Sequence, residues 1–187
     1  LIVNASVLLA KVEFPTQHIS LKATPEFALA TSFGFILIFT AIIVTGIYLG
    51  RYFAAEVVFD KTVNQSLDQR IGSLSKIVGW NPHRITFHLA LAESFLSKAA
   101  ETADKTNDAN QVTPLVASAV QSAKTATDKS PNNIASWENL AAMYANAQAI
   151  TPEANGWTIS ALETALALEP TNPSLYVAMG DANVTKK

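Results

Sequence analysis

The chain of 187 residues is 49% hydrophobic and 15% charged, with a formal net charge of -2. It has no cysteine, which excludes disulfides, thiolate metal sites and a cysteine nucleophile. From Ala54 onward ten Lys and Arg stand against thirteen Asp and Glu with no Lys/Arg-dense stripe, so the basic face that nucleic acid requires is missing and no nucleic acid partner is expected.

Leu1 stands where a start methionine would, which predicts that the chain is a piece of a longer protein. Residues 1–26 are expected to form a partial membrane-proximal or interfacial segment. Leu1 to Phe14 mixes Leu, Ile, Val and Ala with Asn4, Lys11 and Glu13, and Pro15 breaks it. Pro25 followed by Glu26 marks the next helix start, with Thr24 placed to cap it.

Residues 27–50 contain no charge and are dominated by Phe, Ile, Leu and Val, which predicts a transmembrane helix and an integral membrane protein. At ~1.5 Å per residue this stretch covers about 36 Å, enough to cross a hydrocarbon core of about 30 Å with modest tilt. The hydroxyls of Thr31, Ser32, Thr40 and Thr45 can bond back to carbonyls of the same helix, and Tyr48, Tyr52 and Phe53 suit an interfacial aromatic belt. A buried core helix is the alternative, but a small soluble domain rarely needs an apolar run longer than about 18 residues. A cleaved signal peptide would be shorter and terminal. Lys11 and Lys22 before the span against Arg51, Lys61 and Arg70 after it leave its orientation undecided by charge.

Residues 51–82 are expected to form a degenerate helix pair continuous with the anchor, with Leu67, Ile71, Leu74 and Val78 on the second helix and little hinge freedom at the membrane surface. Residues 83–187 repeat. When Pro82, Pro131 and Pro170 are aligned, a ring follows six residues later (His88, Trp137, Tyr176), then Leu91, Leu140 or Met179, then Ala92, Ala141 or Gly180, then Phe95, Tyr144 or Asn183. The spacing 0, 3, 4, 7 is one stripe of an amphipathic helix. A second helix precedes the later prolines, where Ala119, Ala123 and Ala126 match Thr158, Leu162 and Ala165.

This pattern resembles the tetratricopeptide (TPR) consensus of paired helices A and B, most closely over Trp137 to Pro170 (WENLAAMY, then LETALALEP). The resemblance implies an all-α fold: one transmembrane helix, then a TPR-like solenoid of antiparallel helix pairs. Family repeats run about 34 residues, whereas Pro82 to Pro131 is 49 and Pro131 to Pro170 is 39. The surplus is expected in polar loops at Asp104 to Thr113 and around Thr151 to Gly156. The last repeat is truncated, with a helix A at Tyr176 and Gly180 and no helix B, so that helix either caps the array or is followed by further repeats.

Catalytic chemistry is not expected. His83 and His88, placed on one helix five residues apart, do not share a face as i and i+4 metal ligands do, and His88 sits at a packing position. His18 stands alone before the anchor. No phosphate loop, nucleophile elbow or carboxylate pair is present, so no catalytic residue, metal or cofactor is predicted. A TPR array implies recognition of a protein or peptide in a groove lined by helix A. Here the groove would show Thr86, Leu89, Glu93, Leu96 and Ser97 in one unit and Ala135, Glu138, Ala142, Ala145 and Asn146 in the next. It is mildly apolar and acidic, and lacks the cations with which some family members clamp a C-terminal carboxylate. Packing between neighbouring helices, or plain solvent exposure, is an equally good account of these positions.

Arg51 to Glu56 (RYFAAE) and Asn81 to Phe95, with an Asn-Pro before a ring-bearing helix, resemble the C-terminal part of bacterial O-antigen ligase-like and polymerase-like membrane proteins. That resemblance implies a bacterial plasma membrane location with the repeats outside the cytoplasm, and glycan-transfer chemistry in regions this chain does not include. Two functions are therefore expected: a non-catalytic anchored scaffold for protein–protein interaction at the cell envelope, or the tail of a polytopic glycosyltransferase. A cytoplasmic TPR receptor for targeting factors would need the opposite topology.

Overall fold

The computed structural model describes residues 25–106 and 108–185. The interfacial segment, the Thr24 cap and His18 lie outside the described residues. Seven helices and no strand are present among those described: α1 Pro25–Thr62, α2 Leu67–Trp80, α3 Ile85–Thr106, α4 Ala109–Lys129, α5 Ile134–Ala147, α6 Ala154–Leu168 and α7 Pro173–Thr185. Contacts divide the chain between Gly46 and Ile47 into two units.

The first unit carries the apolar part of α1. No residue of its most apolar window is buried, and Phe35 and Phe39 are 75% and 66% exposed. The stretch is uncovered among the described residues, and it is long and apolar enough to cross a membrane. Thr31 Oγ1 donates to the Phe27 carbonyl at 2.9 Å and Ser32 Oγ to the Ala28 carbonyl at 2.8 Å, so these hydroxyls are satisfied inside the helix.

The second unit is built on one turn used three times. Asn81, Ser130 and Glu169 end their helices with φ/ψ of -134/79°, -144/71° and -132/80°, outside the helical region from which the following proline excludes them. Each still closes its helix, donating its N–H to Ile77, Ala126 or Ala165 at 2.9–3.0 Å. Three residues on, Arg84, Asn133 and Asn172 donate back to the carbonyls of those same residues at 3.3, 3.1 and 3.2 Å. The ring six places after the proline then binds the proline's own carbonyl. His88 Nε2 lies 3.1 Å from Pro82 O, Trp137 Nε1 donates to Pro131 O at 2.7 Å, and Tyr176 Oη donates to Pro170 O at 2.8 Å. His, Trp and Tyr share a ring-borne donor that Phe lacks, which is why three different residue types serve one position.

Consecutive helices pack on one another from α2 to α7, and α3 also touches α5. Short connections with extensive packing make chain neighbours antiparallel. Alanine dominates the interfaces. Ala92, Ala119, Ala123, Ala141, Ala161, Ala165 and Ala182 are buried in one cluster with Leu140, Met143, Leu162 and Leu175. A second cluster uses larger groups, with Ala55 of α1, Leu74 and Ile77 of α2, and Phe87 and Leu91 of α3. There Phe59 and Phe87 pack ring to ring with centroids 5.0 Å apart.

Two loop expectations are corrected. The surplus at Asp104 to Thr113 is almost entirely helical: α3 runs to Thr106 and α4 starts at Ala109. Lys98 and Lys105 pair with Glu101, and Thr102 and Thr106 bond back to carbonyls of α3, which sustains this polar stretch as helix. Asp108 takes the turn instead, accepting the Asn110 N–H at 3.0 Å as an N-cap. Extending two adjacent antiparallel helices at the same end lets the surplus bury Ala99 and Val116 with Ala147 and Ala154. In the next unit the connection spans 148–153, and Ala154 to Gly156 belong to α6. A third correction concerns His83, which lies in the turn before α3 and not on a helix with His88.

Tyr176→Phe removes the hydroxyl alone, and should lower stability by about 0.5–1.5 kcal/mol in thermal unfolding of the full chain in detergent followed by circular dichroism. Ser136 is fully buried where the other repeats place Phe87 and Leu175, and its Oγ has no partner. Ser136→Ala should therefore be neutral or stabilising by up to about 1 kcal/mol in the same measurement.

Candidate functional site

Buried and outward positions on α5 fall on opposite faces of the helix, as its period requires. Leu140, Ala141 and Met143 turn inward, while Ala135, Ala142, Ala145 and Asn146 remain exposed. A groove of about 510 Å³ opens along this outward strip, with α5 as one wall and α7 as the other. Glu138, Ala142 and Ala145 line it from α5; Ala178 and Asp181 line it from α7. Its floor is apolar and buried, formed by Ala141, Leu162, Leu175 and Ala182. Gln148 and Thr158 close one end, where Gln148 Nε2 lies 3.1 Å from Asn155 Oδ1 and 3.4 Å from Thr158 Oγ1.

Of the positions expected to face a groove, Glu138, Ala142 and Ala145 are brought together here. Ala135 is exposed on the first turn of α5 without lining the groove, and Asn146 donates its side-chain amide to the Ala142 carbonyl at 2.8 Å. Thr86, Leu89 and Glu93 belong to α3 and do not line it; Glu93 reaches α5 by accepting from Asn139 at 3.4 Å. The α7 wall was missed because a one-helix reading cannot say what lies opposite. A signal existed: shifting Ala135 and Ala142 by the 39-residue period lands on Ser174 and Asp181, both on the groove.

The repeat-defining residues divide by depth. His88, Leu91, Leu140 and Ala165 are buried, and Phe95, Trp137 and Tyr144 are half-buried. Pro170 sits exposed in its turn, and Tyr176 and Gly180 are exposed on α7. A second cleft, of about 470 Å³, lies on α4, the end of α5 and the start of α6. Tyr144 and Trp157 meet there at 5.5 Å between centroids, with Val116, Val120, Ile150 and Lys124 around them. Burial raises the Tyr144 hydroxyl above its ordinary pKa, so it remains a neutral donor. Among the described residues no three His, Asp or Glu side chains converge as metal ligands would.

Burial pulls His88 below its ordinary value of 6.5; its bond to Pro82 opposes this and Lys129 adds to it. The folded state thus favours the neutral ring. As pH falls through 6.5 the unfolded chain takes up a proton that the folded chain refuses, so stability present at neutral pH is lost between 6.5 and the lower folded value. His88→Gln keeps a side-chain N–H donor of similar reach without titrating. Its melting temperature should fall less than that of the unaltered chain when melts at neutral pH are repeated just below 6.5.

A scan against protein-family models finds no match for this chain, and no curated protein matches it at a significant level.

Proposed function

We propose that this chain is a membrane-anchored, TPR-like scaffold that holds a protein or peptide partner in the groove along α5 and α7 at the cell envelope, with no catalysis of its own. The observation that carries the reading is the threefold recurrence of the proline turn with its ring-to-carbonyl bond, at Pro82, Pro131 and Pro170. A turn that recurs in the same form supports a repeat reading, and stacked repeats are the arrangement in which a solenoid presents an extended surface. The anchor is supported by α1, whose side chains from Phe27 to Leu49 stand in the open. Each large apolar side chain left in water forgoes about 1.5–3 kcal/mol, a cost that lipid removes.

A second reading is that the chain is the tail of an O-antigen ligase-like glycosyltransferase, with the repeats outside the cytoplasm of a bacterium. The likeness of Arg51 to Glu56 and Asn81 to Phe95 favours it. The upstream reading frame separates the two: about ten further membrane spans favour the enzyme, and a nearby start codon favours the scaffold.

Because the chain has no cysteine, Asp104→Cys introduces a unique thiol at an exposed position. An impermeant maleimide should label it on intact cells. Labelling only after lysis contradicts the extracytoplasmic placement and points to a cytoplasmic receptor. A photocrosslinking residue at Ala142 should give a discrete protein adduct in cells, whereas one at Ala117 in the second cleft should not. Equal adducts, or none at Ala142, count against the groove.

A further inference from the structure

Trp157 is the most uncovered of the three tryptophans, 50% exposed on the first turn of α6 while Trp80 and Trp137 are half-buried. An indole left in water forgoes much of its apolar stabilisation, and such rings mark places where something else packs. The repeat does not require it, because the 39-residue shift that aligns Ala119 with Thr158 sets Ser118 against Trp157. Trp137 spends its indole N–H on the Pro131 carbonyl, whereas that of Trp157 has no acceptor among the described residues.

The cleft of about 470 Å³ that Trp157 lines gathers further donors in the same condition. The Tyr144 hydroxyl, the Gln121 side-chain amide and Lys124 Nζ have no partner among the described residues. Lys124 is exposed and forms no ion pair there, although Asp128 stands four residues on along the same helix. No carboxylate belongs to the lining; Glu153, one turn before Trp157, is not part of it. Val116, Val120, Ala147 and Ile150 add apolar wall that cannot hydrogen bond. The cleft therefore combines two rings, a set of unused donors and one uncompensated cation.

We propose that this cleft binds a small organic anion with a ring-bearing apolar body, the ring against Tyr144 and Trp157 and the anionic head against Lys124. The proposal is independent of the groove along α5 and α7. Three observations choose this occupant. The volume lies within the range of small-molecule sites, about 300–1,000 Å³. Tyr144 and Trp157 stand with centroids 5.5 Å apart and planes at 55°, and aromatic faces and edges reward a further ring. A cationic ligand would meet Lys124 with no carboxylate to receive it, and a neutral apolar one would leave the donors unpaired as it displaced their water.

The test uses the full chain in phosphatidylcholine nanodiscs, with empty discs as the blank for partition into lipid. Equilibrium dialysis compares three probes: 2-naphthoate, its neutral counterpart 2-naphthylmethanol, and octanoate, which keeps the charge without the ring. Naphthoate should bind about fivefold or more tightly than the alcohol, the upper end of what an exposed charge pair supplies. It should also bind more tightly than octanoate. Lys124→Gln should bring naphthoate down to the level of the alcohol, and so should salt near 1 M, where the Debye length is about 3 Å. Trp157→Ala should weaken both ring probes, and Ala117→Trp, which fills the cleft, should abolish their binding. Each variant is checked for an unchanged helical circular dichroism signal and melting temperature.

Equal binding of naphthoate and the alcohol to the unaltered chain overturns the anionic class, and octanoate binding as tightly as naphthoate overturns the ring. Uptake that ignores Ala117→Trp, or none above that of empty discs, overturns the site. A dodecapeptide of alanine, leucine and glutamate that displaces naphthoate at lower concentration than naphthoate itself binds overturns the small-molecule assignment, since an acidic protein segment would then be the occupant.

Discussion

The bond between a ring donor and the carbonyl of the proline six residues before it organises the second unit. Proline forces the residue before it out of the helical region and offers no N–H of its own, so each helix must stop there. Its carbonyl is left facing the start of the next helix. His88, Trp137 and Tyr176 take that carbonyl, and the two ends of the turn are thereby held together from both sides. With the turn held, the next helix returns along the one before it. The packing of α2 on α3, of α4 on α5 and of α6 on α7 follows from that return.

Close packing then falls to alanine. A methyl group has no side-chain entropy to lose and lets helix backbones approach, which suits interfaces built from Ala119, Ala123, Ala161 and Ala165. Such interfaces have little depth to spare, and a larger side chain introduced there forces the helices apart at a cost of about 1–3 kcal/mol. The cluster around Phe87 works differently. Its rings fill the space between α2, α3 and the second half of α1, and its stability comes from area. Two packing regimes therefore coexist in one unit, and the surface grooves belong to the alanine-rich one.

The comparison of the two long connections shows how a repeat absorbs length. In the first hairpin Asp108 turns the chain in about two residues, and helices α3 and α4 grow to 22 and 21 residues. In the second, α5 and α6 have 14 and 15, with a looser connection between them. Added residues are tolerated when they lengthen both partners at one end, because each new turn finds a facing turn to bury against. Polar composition did not reveal this. Lys105 and Thr106 fall in the stretch expected as loop, but pairing at spacings of four with Glu101 and Thr102 keeps them in a helix.

Helical class, the apolar length of Phe27 to Gly50 and the three helix ends before Pro82, Pro131 and Pro170 were legible in the sequence. Each of these is a local matter: periodicity, uninterrupted hydrophobicity, or the steric demand of proline on its neighbour. The ring position was legible too, though its hydrogen bond was not, because spacing along a chain says nothing of which carbonyl an indole or phenol will face. Tertiary structure alone decided that Asp181 and Ala178 would stand across a groove from Glu138 and Ala142. It also decided that Thr86 and Leu89 would lie apart from that groove. Opposition across a cleft depends on how far one helix is rotated and displaced against another, and that is set by the summed volumes of every side chain between them.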